Sequence, residues 1–328
     1  MPTEVLHEVD TSSHTPTFSQ ERSIASIRQP DERLVGDVGE PLNERLYRRM
    51  RFIRGFEEEI LALFDSGLLN GTTHACIGQE ADAVGVVEHL RPTDHVFSNH
   101  RCHGHFLART GDAFGLLSEI LGKPSGVCGG IGGSQHISAP GFKSNGILGG
   151  TVPAAAGIAL ANQLAGGDDL SVVFVGDGML GEGIVYETLN IASLWHLPLL
   201  VVVENNGWAQ STPSSLHLAG AISSRFAAFG IAVDEVDTTD VLVIRKLAGE
   251  ITERQRQQGG PAALVIHTYR LCHHSRNDDN RPRDEVLQRW KLDPLRVHGE
   301  RLTDARRDHI DLEVDSALRD LVAQGLRP

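Results

Sequence analysis

The sequence predicts an α/β protein with a doubly wound, mostly parallel sheet flanked by helices. Three short runs, 171–175, 199–203 and 263–268, are rich in β-branched and aliphatic residues without polar alternation. Such runs are typical of strands buried on both faces. Helical segments, including 183–195 and 241–256, separate the runs, and alternation of this kind favours a doubly wound sheet.

Apolar spacing predicts the elements that flank these strands. Residues 1–40 are polar and aperiodic, so we interpret them as a mobile arm or a wrapping extension, with a single domain over 41–328. Between residues 43 and 63, apolar side chains recur every three or four positions and predict an amphipathic helix. These positions are Leu46, Met50, Ile53, Phe56, Ile60 and Leu63. Leu312, Leu318, Leu321 and Val322 mark a last helix.

Composition excludes several classes of protein. The 328 residues are 40% hydrophobic and carry a net charge of −13, which disfavours nucleic acid and anionic membranes as partners. Residues 144–167 lack charged side chains, but their Gly, Ala and polar content predicts a packed helix and not a membrane span. Four scattered cysteines and the absence of an apolar leader lead us to expect a cytoplasmic protein.

Two predicted strands end in unusual sequences. The first continues as Gly176-Asp177-Gly178-Met179-Leu180-Gly181, and the second ends in Glu204-Asn205-Asn206-Gly207-Trp208. Ligands of open α/β sheets bind at the carboxyl ends of strands. Asp177, the Asn206 amide oxygen and a main-chain carbonyl could bind Mg²⁺, which would neutralise a phosphorylated ligand approached by the glycine backbone.

The first of these sequences also matches a dinucleotide fingerprint. Gly176, Gly178 and Gly181 have its spacing, and Glu204 stands where a ribose partner would be. A nicotinamide oxidoreductase is therefore an alternative, although the Asp177 carboxylate would repel a pyrophosphate unless a cation intervened. A Gly-Asp-Gly sequence can also be only a turn.

Ordered motifs between about residues 45 and 296 add a resemblance to a known family. They are Gly71-Thr72-Thr73-His74, Gly78-Gln79-Glu80-Ala81, Arg101 with His103-Gly104-His105, Gly132-Gly133-Ser134-Gln135-His136, Asn145-Gly146-Ile147-Leu148-Gly149, the two strand ends, Tyr269-Arg270, His274-Ser275 and Trp290 with Asp293-Pro294. The chain resembles the α subunit of the decarboxylating component of 2-oxo acid dehydrogenases of the pyruvate, acetoin or branched-chain type. The resemblance implies a thiamine diphosphate-binding fold.

The resemblance implies thiamine diphosphate and Mg²⁺ as cofactors. It makes Asp177, Asn206 and the main-chain carbonyl of Trp208 the Mg²⁺ ligands. It places eleven residues at the cofactor: Arg101, Gly178 and Met179 at the diphosphate, Gly146 and Leu148 at the aminopyrimidine, and His100, Gly176, Asp177, Asn206, Trp208 and His274 around them. His274 and His103 are the residues it marks as catalytic.

The implied reaction is decarboxylation of a 2-oxo acid followed by acyl transfer to a lipoyl-bearing acyltransferase. A β subunit would supply the activating glutamate in an α2β2 heterotetramer. The helix over 153–165 carries Ala154, Gly157 and Ala161 at a spacing that suits either a subunit interface or a close contact within the chain.

The chain departs from the family pattern at several positions. His100 and Trp208 stand where the family usually has tyrosine, and His273 where it usually has glycine. A carboligase that passes the acyl group to a non-lipoyl acceptor is therefore an alternative, as is a non-catalytic α-like subunit. His100, Cys102, His103 and His105 lack the spacing of a closed zinc site, so we expect no metal among them.

Overall fold

The computed structural model describes residues 27–37, 39–69, 71–275 and 278–327. The predicted arm lies largely outside these ranges, since residues 1–26 are not described. Its described part packs on the rest of the chain, where Leu34 is buried and Glu40 accepts a hydrogen bond from Arg48 at 3.0 Å between Oε1 and Nε. The boundary near residue 40 stays a prediction.

Helices and strands alternate along the described residues. The helices are α1 (Glu32–Val35), α2 (Leu42–Asp65), α3 (Glu80–Val87), α4 (His103–Thr110), α5 (Ala113–Ile120), α6 (Thr151–Leu164), α7 (Gly183–Leu194), α8 (Ile222–Ala227), α9 (Val241–Gln258), α10 (Arg283–Arg289), α11 (Pro294–Gly299) and α12 (Asp304–Gly325). The strands are β1 (His95–Ser98), β2 (Ser138–Ala139), β3 (Phe142–Ser144), β4 (Ser171–Gly176), β5 (Leu199–Asn205), β6 (Trp208–Ala209), β7 (Thr212–Pro213), β8 (Ala232–Asp237) and β9 (Ala262–His267).

Seven strands form one sheet in the order β2-β3-β1-β4-β5-β9-β8. All neighbours are parallel except β2 and β3, while β6 and β7 form a separate antiparallel hairpin. In β4 and β5, alternate side chains enter opposite core layers. Val172 and Phe174 pack with α2, α3, α9 and α12, whereas Val173 and Val175 pack with α6 and α7. This architecture confirms the predicted α/β fold.

The predicted elements are present, and several others were missed. The three apolar runs are β4, β5 and β9, and all six predicted apolar positions of α2 are buried. Leu312 of the last helix is 67% exposed, so the buried face of α12 runs through Ile310 and Val314 instead. Strand β1 is only four residues long, and β8 is an edge strand with exposed polar residues, so neither has the signal of a buried strand.

The uncharged segment 144–167 forms β3's last residue, a short loop and helix α6. Among the described residues, no helix combines the length and apolarity needed to cross a membrane. Thr151, Val152, Ala155, Ala156 and Ala159 of α6 are buried against the sheet. Its other face, which includes the predicted small residues Ala154, Gly157 and Ala161, is exposed in the single chain.

Candidate active site

A cavity of about 410 Å³ opens at the carboxyl edge of the sheet. After β1 the chain forms β2 and β3 on one side of that strand, and it then crosses to form β4 on the other side. The direction of winding therefore reverses between β1 and β4. A crevice forms at such a reversal because the two connections diverge. All eleven residues assigned to the cofactor line this cavity: His100, Arg101, Gly146, Leu148, Gly176, Asp177, Gly178, Met179, Asn206, Trp208 and His274.

Asp177 is the first residue after β4 and begins a short 3₁₀ turn, Asp177–Gly181. The residue is only 1% exposed, and its Oδ2 accepts a hydrogen bond from the Ser214 hydroxyl. Burial raises the pKa of the Asp177 carboxyl, because a charged carboxylate is poorly solvated there. A bound cation would stabilise the charged form at this position.

Asn206 and Trp208 follow β5 and line the same cavity as Asp177. Asn206 Oδ1 accepts a hydrogen bond from the Trp208 amide at 3.1 Å, and its Nδ2 donates to Gln79 Oε1 at 3.4 Å. Trp208 begins the β6–β7 hairpin, and the Ser214 amide donates to the Gly207 carbonyl at 2.9 Å. Carboxylate, amide and main-chain oxygens are the donors that suit Mg²⁺.

The buried guanidinium group of Arg101 gives the cavity wall positive charge, and a second buried guanidinium, that of Arg270, is near enough to repel it but lies outside the cavity lining. Arg101 is 5% exposed, and its Nη groups reach the Ala75 carbonyl and, at 3.3 Å, His274 Nδ1. Arg270 is 2% exposed, and its Nη1 is buried without a hydrogen-bond partner. Among the described residues, neither guanidinium forms an ion pair with a carboxylate. Uncompensated buried cations of this kind favour an anionic ligand.

Burial and a neighbouring positive charge lower the pKa of Arg270. Burial is the largest cause, the Arg101 charge is the next, and together they bring this pKa to about 10. An anion bound at Arg101 would reduce the repulsion between these two cations. The residues of the cavity therefore fit a diphosphate and a Mg²⁺ ion.

Three histidine side chains, of His74, His100 and His274, form the adjoining wall. Their ring centroids lie 4.4 Å apart for His74 and His100, 4.7 Å for His74 and His274, and 5.3 Å for His100 and His274. Burial first, and the Arg101 charge second, lower their pKa values to about 3, about 2 and about 4 respectively. All three rings are therefore neutral at pH 7.

Two glycines allow the backbone to approach closely at this site. A Cβ on Gly178 would lie 3.0 Å from the Ala209 Cβ, and one on Gly146 would lie 2.7 Å from Gln135 Oε1. At Gly178 the neighbouring Ala209 would have to shift by a few tenths of an ångström, whereas at Gly146 the end of the Gln135 side chain would have to move aside. Both glycines therefore keep the backbone close to another residue of the cavity wall.

His103, which the family resemblance marks as catalytic, does not line the cavity. Its ring is fully buried at the start of α4, where Nδ1 lies 2.9 Å from Glu57 Oε2 and Nε2 lies 3.1 Å from the Ser134 carbonyl. Ser134 precedes Gln135 of the cavity wall, and the other Glu57 oxygen accepts the Cys76 amide at 2.9 Å. The structure thus places His103 behind two cavity loops.

Several cavity residues had no role in the sequence prediction: His74, Gln79, Asn99, Gln135, Glu204 as a wall residue, Ala209 and Gln210. His74 belongs to one of the quoted motifs, but it lies before the first strand. The expectation that ligands bind at the carboxyl ends of strands therefore does not point to it. Glu204 lies 3.3 Å from His105 Nε2, and His105 Nδ1 lies 2.8 Å from the Ser98 hydroxyl. Glu204 already takes part in this buried series of hydrogen bonds, which weakens the alternative that it binds the ribose of a dinucleotide.

Comparison with known proteins agrees with this geometry. The sequence profile of the dehydrogenase E1 component family matches residues 48–323. The chain is 37% identical over 294 residues to the α subunit of acetoin:2,6-dichlorophenolindophenol oxidoreductase of Cupriavidus necator, covering 85% of this chain and 88% of that subunit. It is 38% identical over 289 residues to the pyruvate dehydrogenase E1 component subunit alpha of Rhizobium meliloti, covering 85% and 83%.

A mitochondrial relative extends the comparison. The chain is 32% identical over 288 residues to the somatic pyruvate dehydrogenase E1 component subunit alpha of Homo sapiens, covering 84% of this chain and 73% of that subunit. The family match favours the thiamine diphosphate interpretation over a nicotinamide site and confirms the resemblance that the ordered motifs indicated. The chain therefore belongs to the dehydrogenase E1 component family.

Proposed function

We propose that this chain is the α subunit of a thiamine diphosphate-dependent 2-oxo acid dehydrogenase and that its cavity holds the cofactor's diphosphate with Mg²⁺. One observation carries the proposal: oxygen donors of Asp177 and Asn206 share a cavity with Arg101, a buried guanidinium that forms no ion pair with a carboxylate among the described residues and is repelled by a second buried cation, Arg270. Oxygen donors suit the ion, and guanidinium groups suit the phosphate oxygens.

The Mg²⁺ ligands in this proposal are Asp177, Asn206 and the Trp208 carbonyl. The raised pKa of Asp177 and its contact with Ser214 support this assignment, since the ion would stabilise a carboxylate that is already oriented. Arg101 would bind the diphosphate, with main-chain help from Gly178 and Met179. On the opposite wall, Gly146 and Leu148 would offer main-chain hydrogen bonds to the aminopyrimidine, and Gly176 and His100 complete the enclosure.

When bound, thiamine diphosphate supplies a carbon nucleophile and an electron-accepting ring for decarboxylation of a 2-oxo acid. The chain's own contribution is to position groups and to hold protons. Arg101 can only donate, so His274 Nδ1 at 3.3 Å is an acceptor and the proton of the neutral ring is on Nε2. That N–H can donate to an oxygen of the diphosphate or of the 2-oxo acid.

His103 has a different part in this proposal. Because its ring is buried between Glu57 and Ser134, it holds the loops of the cavity wall and does not contact the reacting atoms. We therefore assign it as a positioning residue, whereas His274 remains the proposed catalytic histidine.

The family's α subunits imply a β subunit as partner, and the proposed assembly is an α2β2 heterotetramer in which that subunit supplies the activating glutamate. The exposed face of α6, with Ala154, Gly157 and Ala161, supports an interface and not a contact within the chain. Near it, α7 ends in Leu194, 75% exposed, and is followed by Trp195, 50% exposed. Water-exposed apolar side chains at this density are typical of a surface that a partner covers.

A lipoyl-bearing acyltransferase is the proposed acyl acceptor. The carboligase alternative rests on His100, Trp208 and His273, which depart from the family pattern at or beside the cavity. A radiolabelled 2-oxo acid, incubated with the α–β complex with and without lipoyl protein, separates the two: efficient labelling of the lipoyl group would exclude the carboligase. A cytoplasmic location is also part of the proposal, supported by four free cysteine thiols.

Calorimetric titration of thiamine diphosphate with Mg²⁺ into this chain, alone and in complex with its β subunit, tests the proposal. We expect Mg²⁺-dependent binding in the complex, and a loss of more than roughly 100-fold in affinity for Asp177→Ala, because even outer-shell partners contribute 10–100-fold. Asp308→Ala, on the exposed face of α12, is the matched control. Unchanged binding by Asp177→Ala, or NADH binding in its place, would contradict the proposal.

A further inference from the structure

We propose that His74, His100 and His274 form a binding site for a divalent transition-metal ion of the zinc class, separate from the oxygen-donor site at Asp177 and Asn206. The three histidines come from three distant segments: the loop before α3, the β1–α4 connection and the loop after β9. This inference does not depend on the proposed function, because it concerns an ion that binds the chain without the organic cofactor.

The geometry brings one potential ligand nitrogen from each ring together. These three nitrogens all lie within 4.8 Å of one another. Bonds of 2.0–2.1 Å around a tetrahedral zinc ion separate two nitrogens by about 3.4 Å, so the rings must approach by at most about 1.4 Å. Rotation of side chains that border an open cavity can supply a movement of this size.

The protonation state and the environment of the rings suit ligation. Only a neutral imidazole has a lone pair to offer a metal, and burial first, with the Arg101 charge second, lowers the pKa of all three rings so that they are neutral at pH 7. In the described part of the chain, His74 Nδ1 is buried without a hydrogen-bond partner. A buried polar nitrogen that lacks a hydrogen-bond partner is rare. This nitrogen of His74 is therefore available to bind a metal ion.

The two proposed sites in this cavity differ in their ligand atoms, so they should bind different ions. Imidazole nitrogens favour zinc, nickel and copper, whereas carboxylate and amide oxygens favour magnesium. Mg²⁺ should therefore not compete for the histidine site.

Arg101 opposes a bare dication, because its Nη2 lies 3.3 Å from His274 Nδ1. If His274 turns to the ion, Arg101 loses this long hydrogen bond and becomes free to bind an anion. An anion in the fourth coordination position, beside Arg101, would offset the repulsion. We therefore expect inorganic phosphate to strengthen binding of the metal ion.

The test uses the full chain after removal of cofactor and metal by a chelator. Co²⁺ is the probe, since its absorption spectrum reports tetrahedral nitrogen coordination, and Zn²⁺ binding is measured by calorimetry with and without inorganic phosphate. We expect one ion per chain, tighter with phosphate and not displaced by Mg²⁺. His100→Tyr should weaken binding by roughly 100-fold or more, while His309→Tyr, an exposed histidine of α12, should not.

Two further variants keep the result interpretable. His274→Gln should also lose the Co²⁺ spectrum, so a folding defect of one variant does not decide the outcome. Asp177→Ala should keep Co²⁺ binding while it loses Mg²⁺-dependent cofactor binding, which distinguishes failure of this proposal from failure of the proposed function. Absence of Co²⁺ and Zn²⁺ binding in the unchanged chain, or equal binding by His100→Tyr, would overturn the inference.

Discussion

The pair formed by Glu57 and His103 can be tested by changing its charge without changing its shape. The His103 Nε2 lies 3.1 Å from the Ser134 carbonyl and 3.2 Å from the Ser134 hydroxyl. Burial would raise the pKa of the Glu57 carboxyl, but the interactions with His103 outweigh it, so this pKa is lowered. Glu57 is therefore a carboxylate that can only accept, and Nδ1 of His103 carries the hydrogen between them.

Glu57→Ala removes one partner of this fully buried pair. The His103 Nδ1–H group and the Cys76 amide then lose their acceptor, and two buried donors left without an acceptor destabilise a protein by about 2–6 kcal/mol. An unfolding entropy of about 2.1 cal/mol/K per residue over 328 residues converts this into a decrease of roughly 3–9 °C in Tm.

Glu57→Gln should be far milder. The amide oxygen can accept from Cys76, the amide NH₂ can donate to Nδ1 of the Nε2–H tautomer of His103, and that Nε2–H can donate to the Ser134 carbonyl. All three contacts survive as neutral hydrogen bonds, so we expect a decrease of less than about 1.5 kcal/mol in the free energy of unfolding. Glu58→Ala, on the exposed face of the same helix, controls for the loss of a glutamate.

Thermal unfolding and cofactor titration at a temperature where every variant is folded measure the two effects separately. Because the pair ties the chain near His74 to the chain near Gln135, Glu57→Ala should also weaken thiamine diphosphate binding by roughly 10–100-fold, as loss of an outer-shell partner does. Equal destabilisation by the Ala and Gln variants would refute the argument from hydrogen bonds. Unchanged cofactor affinity in folded Glu57→Ala would refute the positioning role.

Three further predictions concern the interface, a buried acid and the ion site. Ala161→Arg on the exposed face of α6 should leave the Tm of the isolated chain unchanged but prevent assembly with the β subunit in gel filtration, whereas Ala305→Arg on exposed α12 should assemble; equal assembly would exclude this interface. Burial, and then a neighbouring carboxylate, raise the pKa of Asp82, so the folded chain keeps a proton that the unfolded chain loses above about pH 4. The native chain therefore loses stability as pH rises above about 4, and the advantage of Asp82→Asn should grow with pH in denaturant titrations, by at most about 1.4 kcal/mol per pH unit; a pH-independent difference would contradict this. Ser214→Ala should weaken Mg²⁺-dependent cofactor binding by roughly 10–100-fold in calorimetry, since Ser214 orients a carboxylate ligand, and Ser215→Ala, an exposed neighbour, should not; equal effects would argue against that orientation.

Much of the fold could be predicted because its main signals are local. The runs that became β4, β5 and β9 are aliphatic on both faces, and the sheet is indeed covered on both faces. Strand β1 could not be found in this way, since four residues carry too little pattern. Strand β8 is polar because it lies at the edge of the sheet, and position in a sheet is not a local property of sequence.

The sequence by itself determined the half of the site that follows strand ends. Asp177 and Asn206 each come after an apolar run, and parallel pairing of neighbouring strands leaves their side chains no other edge to reach. Only the tertiary structure brought His74 to the wall that it forms with His100 and His274, and only it decided the place of His103. His74 and His274 are separated by 200 positions and meet because the segment after β9 packs on the segment before α3, where the Leu271 amide donates to the Ile77 carbonyl. His103, two residues from Arg101, turns into the core because α4 begins there.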